Sequence, residues 1–344
     1  MMNRNHNRYQ NGLTLIELMI AMVIGILLLL GTASMFISNK RSYKLQDEMG
    51  RMQENARFAM EMLIRDIRMA GYTGCADDIN KVVNHVNGGN TATNLYNMTN
   101  PVEGSESAAN WQPSNTPVNT LVPPMSAGID GITVRYLDGA TVTIETPYMT
   151  TESAALHVSV NNGLNQGDIV AVSDCTSTDI FQITSADPDT SGQVTHNTGT
   201  GTPGNATGNF QKTYGGDASL VRFIARRYYI GAGDKGPALF RVHNLGAPEE
   251  MIEGVQNMQI LYGEDTNNDA VADLYRSADA INAANWDNVI NVRVGLLMRT
   301  LDANFSEDPD TTVYNMLGVN YGPFNDNFRR RVFTSNVLIR NRSQ

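Results

Sequence analysis

The chain has 344 residues, of which 41% are apolar and only 17% charged, against the roughly one quarter usual in soluble domains. Its 25 Lys+Arg and 35 Asp+Glu give a formal charge of −10, which argues against a nucleic-acid binder built on a clustered positive field. Thirty glycines and an Asn- and Thr-rich middle suit a β-rich body with long polar loops and argue against coiled coil, collagen and full disorder.

Residues 1–12, MMNRNHNRYQNG, carry Arg4 and Arg8 and no acid. LTLIELMIAMVIGILLLLGTASMFIS follows, apolar apart from Glu17. As a helix, Leu18 to Ile37 spans about 30 Å, the thickness of a bilayer core. The leading arginines hold the amino terminus in the cytoplasm and place the rest of the chain outside. A cleavable secretory signal has small residues after its apolar stretch, whereas Gly12 precedes this one. The apolar helix is therefore expected to remain as a single-pass anchor. Glu17 is out of place there, since a carboxylate entering a span costs up to ~3 kcal/mol. Either it snorkels at headgroup level, or a cut after Gly12 makes Leu13 the amino terminus, one helical turn from Glu17 and within pairing reach.

The segment Gly12-Leu13-Thr14-Leu15-Ile16-Glu17 resembles the class III signal of type IV pilins and type II secretion pseudopilins. The resemblance implies that a prepilin peptidase cuts after Gly12 and methylates Leu13, which stands where phenylalanine is usual. It also implies that Glu17 assists docking into a growing filament.

Beyond Lys40 and Arg41, the residues Leu45, Met49, Met52, Ala56, Ala59, Leu63, Ile67 and Ala70 recur at spacings of 4-3-4-3-4-4-3, a sustained helical stripe. Asp47, Glu48, Arg51, Glu54, Arg57, Glu61, Arg65 and Arg68 fall between them as a solvated face. No proline interrupts Leu13 to Gly71, and Gly71 is a natural stop. The pattern predicts one helix, with a transmembrane half over 13–38 and an amphipathic half over 39–71 packed on a sheet.

The wording QENARFAMEMLIRDIRMAGYTGC is similar to the minor-pilin family PilW. Its first motif is carried by Arg51, Gln53, Glu54, Asn55, Arg57, Phe58 and Ala59. Its second is carried by Arg65, Asp66, Arg68, Ala70, Gly71, Tyr72, Gly74 and Cys75. The likeness returns at 167–175, 254–269 and 329–342. It implies an α+β, type IV pilin-like fold, a long N-terminal helix packed on antiparallel sheet. It further implies a minor pilin that acts in pilus initiation at the tip, supporting adhesin display, twitching motility and attachment without catalysis. The partners so implied are other minor pilins, the major pilin, a tip adhesin, the prepilin peptidase and the inner-membrane assembly platform. The chain would sit in the inner membrane before assembly and in the extracellular pilus after it. A J-type pseudopilin of type II secretion shares the signal and helix, and a membrane-anchored binding protein or enzyme is a third reading.

The head, 72–344, reads as strands and loops. Residues 78–130, with the isolated Trp111, are expected to form a long loop with little regular structure, and 186–218 a second low-complexity insert. Strand candidates are 132–137, 140–145, 156–160, 168–172, 180–184, 220–230, 238–242, 256–262, 290–299 and 332–340. No helix–strand alternation appears, so an antiparallel sheet, or two, packed on the helix is predicted. Cys75 and Cys175, too few for a four-ligand zinc site, are expected to form a disulfide outside the cytoplasmic membrane, the alternative being two buried thiols.

Asp265, Asn267, Asp269 and Asp273, with the Val271 carbonyl, place oxygens at alternate loop positions, a candidate calcium loop. Ala270 stands where such a loop favours glycine and Arg276 where it favours glutamate, and an Asx-rich turn between strands is the plain alternative. Gly199, Gly201 and Gly204 precede no helical pattern and read as flexible loop rather than phosphate cradle. His85, His157, His196 and His243 are scattered, with surface or loop roles.

Overall fold

Helix α1 runs from Leu15 to Met69 in the computed structural model, which describes residues 14–76, 81–91, 94–106, 122–199, 201–303 and 308–342. The chain divides into two units, Met1–Gly50 and Arg51–Gln344. In the first, α1 leaves Leu15, Ile24, Leu28 and Phe36 exposed. By length and composition this helix can cross a membrane. The leader 1–12 and Leu13 lie outside the described residues.

In the second unit α1 buries Met52, Ala56, Ala59, Leu63 and Ile67, with Met60 and Asp66 beside them. Ala70 is buried just past the helix end; Leu45 and Met49 of the predicted stripe belong to the first unit, where they are half-buried. Each large apolar side chain so covered contributes on the order of 1.5–3 kcal/mol. Gly71 stops the helix: its φ is +73°, open to glycine at little cost, and its N–H donates to the Arg135 carbonyl at 2.9 Å.

Sixteen strands follow among the described residues. The larger sheet runs in the order β1 (Val82–Asn84), β6 (Thr178–Gln182), β5 (Ile169–Ser173), β8 (Ser219–Gly233), β3 (Gly131–Thr143) and β2 (Val102–Ser105). β9 (Gly236–His243) pairs with the second half of β8, and β10 (Pro248–Glu253) pairs with β9. Only β1 with β6 is parallel. The second sheet is antiparallel throughout, in the order β12 (Leu274–Arg276), β11 (Val255–Glu264), β13 (Val289–Arg299) and β16 (Arg330–Leu338). Two small antiparallel pairs complete the set: β4 (Leu156–His157) with the sequence-distant β7 (Gln193–Val194), and the hairpin of β14 (Tyr314–Met316) and β15 (Val319–Tyr321).

β8 is the spine of the larger sheet, and burial of both its faces explains its near-continuous apolar run. Arg226 and Tyr228 point to α1, where they meet Asp66. Val221, Phe223 and Ala225 point the other way, into a cluster with Val82, Val86, Leu95, Tyr96 and Met98. That cluster corrects the expected loop at 78–130: its described part supplies β1, β2 and a layer of core. Three- and four-residue strands are too short to show alternation, which hid them. The insert 186–218 is corrected likewise. Val194, Phe210, Tyr214 and Ala218 pack on Val170, Val172, Phe181 and Leu220. Its polar residues are bonded too: Asn205 donates to the Gln182 carbonyl at 2.8 Å and accepts the Gln182 N–H at 2.7 Å. The strands predicted at 132–137 and 140–145 are one strand, β3, with a register shift between Leu137 and Thr141.

Candidate functional site

At the start of α1, the Thr14 N–H donates to Glu17 Oε2 at 2.9 Å and the Thr14 hydroxyl donates to the same oxygen at 2.8 Å. The Glu17 N–H donates back to Thr14 Oγ1 at 3.4 Å. This is a reciprocal capping box, which satisfies two otherwise orphaned N–H groups and puts a carboxylate at the positive end of the helix dipole. Glu17 thus has a local partner in Thr14, and the Thr-x-x-Glu spacing is the signal that encodes it. The box uses one carboxylate oxygen only. Gly12 and Leu13 lie outside the described residues.

At the other end of α1, Cys75 is bonded to Cys175, with Cα atoms 4.7 Å apart and a sequence separation of 100. Cys175 sits in the turn joining β5 to β6, so the bridge ties the end of the helix to that hairpin. Closing a loop of this length contributes up to ~4.7 kcal/mol in the chain-entropy account.

Asp66 fastens the helix to the larger sheet. It is 1% exposed, and its carboxylate accepts from Tyr136 OH at 3.1 Å, Arg226 Nη1 at 2.7 Å and Tyr228 OH at 2.5 Å. Burial, and then the Asp66 charge, push both tyrosines' pKa values upward. Burial works against the charge on Arg226, but the bond to Asp66 outweighs it and raises the guanidinium's pKa. A similar buried pair organises the segment before β2: Arg135, fully buried, reaches Glu103 at 2.5 Å and the carbonyls of Leu95 and Asn100.

In the 265–273 loop, Asp265 is 6% exposed. Its Oδ1 accepts the N–H groups of Asn267, Asn268 and Asp269, and its Oδ2 that of Ala270. Asp273 accepts from the Thr266 N–H and hydroxyl, and the Asn267 amide donates to Asp269 and Asp273. The loop therefore closes on its own donors, and an ion would have to draw Asp269 and Asp273 away from them. Among the described residues no group of three or more His, Cys, Asp or Glu side chains stands ready to hold a metal.

A second acidic place joins the two sheets. Asp130, just before β3, donates its N–H to the Met258 carbonyl and accepts the Ile260 N–H at 2.7 Å, both on β11. Burial, then the charge of Glu106, push its pKa up to about 8. Two histidines expected at the surface are core residues. His85 meets Asp179 at 2.5 Å, which also accepts Tyr214 OH. His196 stacks on Phe210 with ring centroids 3.8 Å apart, and burial lowers its pKa. Isolated histidines carry no periodic signal, so only the packing reveals them.

Residues 227–341 match the family described as Type IV Pilus-assembly protein W, and residues 7–33 match the prokaryotic N-terminal methylation motif. The first match runs from the second half of β8 through β16 and contains the whole four-stranded sheet; the second contains Gly12, Leu13 and Glu17. No curated protein and no solved structure matches the chain.

Proposed function

We propose that the chain is a PilW-type minor pilin of a type IV pilus, anchored in the membrane by its apolar N-terminal helix, and that it acts in pilus initiation at the tip. There it helps to display an adhesin and so supports twitching motility and attachment. Its partners in this reading are other minor pilins, the major pilin, the adhesin, the prepilin peptidase that cuts after Gly12 and methylates Leu13, and the inner-membrane assembly platform. Arg4 and Arg8 hold the amino terminus in the cytoplasm, and the head stands outside, where a Cys75–Cys175 bridge persists. Pilin-family domains indicate a structural protein, and its work is binding. The PilW match over 227–341 favours the pilus over a J-type pseudopilin of type II secretion.

The observation that carries the docking step is Glu17. Its Oε2 caps the chain's own helix, and Oε1, which has no partner among the described residues, is the oxygen that accepts the ammonium of a neighbouring subunit in this reading. Glu17→Gln tests it cleanly, because glutamine can still serve the capping box while losing the charge. Membrane insertion should hold and incorporation into sheared pili should fall. Unchanged pilus number, incorporation and twitching would reduce the carboxylate to a helix cap.

A further inference from the structure

Beside the C-terminal turns of α1, where the helix crosses β3 and β8, lies an open hollow of about 910 Å³. Five arginines line it: Arg57, Arg65 and Arg68 on α1, Arg226 on β8, and Arg340 after β16. Glu61 and Asp138 are the acids among its walls, and Ile64, Met69, Tyr136 and Ile224 give it an apolar floor. Such an excess of cations is unusual in a chain of net charge −10. Part of this positive charge faces solvent. Arg65 and Arg68 are exposed and enter no ion pair among the described residues. Arg226 gives one arm to Asp66 but keeps a buried Nε–H with no acceptor. A smaller hollow of about 470 Å³ shares Glu61, Arg65 and Arg226 and adds the exposed Phe58 and the half-buried Arg241, which is paired with Glu249.

We propose that this hollow is a docking surface for an acidic segment of a neighbouring pilus subunit, one that presents two or more carboxylates around an apolar residue. Guanidiniums at the rim match carboxylates in bidentate geometry. The apolar floor takes a side chain between them, the arrangement of a desolvated anchor with a charged surround. A nucleic acid fits less well: it offers no apolar side chain for the floor, and the remainder of the chain repels a polyanion. The inference deepens the assembly reading and rests on it for the neighbour's identity as a pilus subunit.

The full chain in neutral detergent micelles is titrated with two labelled synthetic helical peptides that share a leucine face and carry either glutamate or lysine elsewhere, with empty micelles subtracted. The glutamate peptide should bind at least ten-fold tighter than the lysine peptide, and the preference should shrink as salt shortens the reach of charge. Arg65→Glu combined with Arg68→Glu should reverse the preference, and Arg65→Gln with Arg68→Gln should abolish it. Both pairs of changes fall on exposed positions, and a retained melting temperature shows that the fold survives. Equal binding of the two peptides, or no binding, overturns the proposal. So does equally tight binding of a short single-stranded oligonucleotide, or self-association of the chain that the double reversal abolishes, which would make the occupant a second copy. Appearance of the wild-type chain in sheared pili is scored separately, so a failure of the assembly reading is distinguishable from a failure of the hollow.

Discussion

Replacing Asp66 tests how the helix is held to the sheet. Its carboxylate serves three donors, Tyr136 OH, Tyr228 OH and Arg226 Nη1. Removing one member of a buried ion pair costs about 3–5 kcal/mol, because the other charge is left behind. Arg226 is 26% exposed along its side chain, so solvent screens part of that loss. The two tyrosine hydroxyls add about 1–3 kcal/mol each if they stay dry. At the low end of each, with the ion-pair contribution reduced by screening, Asp66→Ala should lose about 4 kcal/mol or more. Asp66→Asn keeps one acceptor and loses the charge, so it should lose about 2 kcal/mol. For a unit of this size each kcal/mol shifts the melting temperature by about 2–4 °C. Near-ultraviolet circular dichroism of the full chain in neutral micelles should therefore show a drop of on the order of 10 °C for Asp66→Ala. A drop under about 2 °C would show that water from the adjacent hollow replaces the carboxylate, and that apolar packing alone holds α1.

The raised pKa of Asp130 makes stability depend on pH. The folded protein holds a proton near pH 8 that the unfolded chain releases near its ordinary value. Its contribution is full below about pH 4 and is lost as pH rises through about 8, by at most about 4 kcal/mol between pH 4 and 7. Asp130→Asn should flatten that slope and raise the melting temperature at pH 8; an unchanged slope refutes the assignment. Cys75→Ser with Cys175→Ser should lower stability by up to ~4.7 kcal/mol, and reductant should reproduce the shift; identical melting in oxidised and reduced protein would show the bridge to be idle. Calcium at Asp265, Asn267, Asp269, Val271 and Asp273 is a proposal that a melting curve decides. Binding raises the midpoint by mass action, and Asp265→Ala with Asp269→Ala removes the rise. Identical curves with calcium and with chelator would leave the loop closed by its own N–H groups.

What the sequence shows depends on how local the physics is. The helix from Leu15 to Met69 announces itself by apolar length and then by period, and Met52, Ala56, Ala59, Leu63 and Ile67 are buried as their spacing requires. The long strands β8, β11 and β13 are legible from β-branched and aromatic runs. Asp66 is not, because a carboxylate on a helix reads as solvated until two tyrosines and an arginine from β3 and β8 are brought to it. Arg135 and Glu103, 32 residues apart, are hidden for the same reason, as are His85 and Asp179. The polar inserts mislead most: a few apolar anchors such as Leu95, Met98 and Phe210 suffice to fold them onto the sheet once Asn and Gln side chains satisfy the backbone. At the amino terminus the Thr14–Glu17 spacing encodes a cap, and the same glutamate belongs to the methylation motif. Two roles on one residue cannot be separated by pattern alone.

The most direct test of the account is the amino-terminal mass of the chain recovered from sheared pili and from membranes of cells with an active prepilin peptidase. The account predicts a mature chain that begins at Leu13 and carries one added methyl group, present in both fractions. An intact leader from Met1 in those cells, with no chain in the pilus fraction, would contradict it.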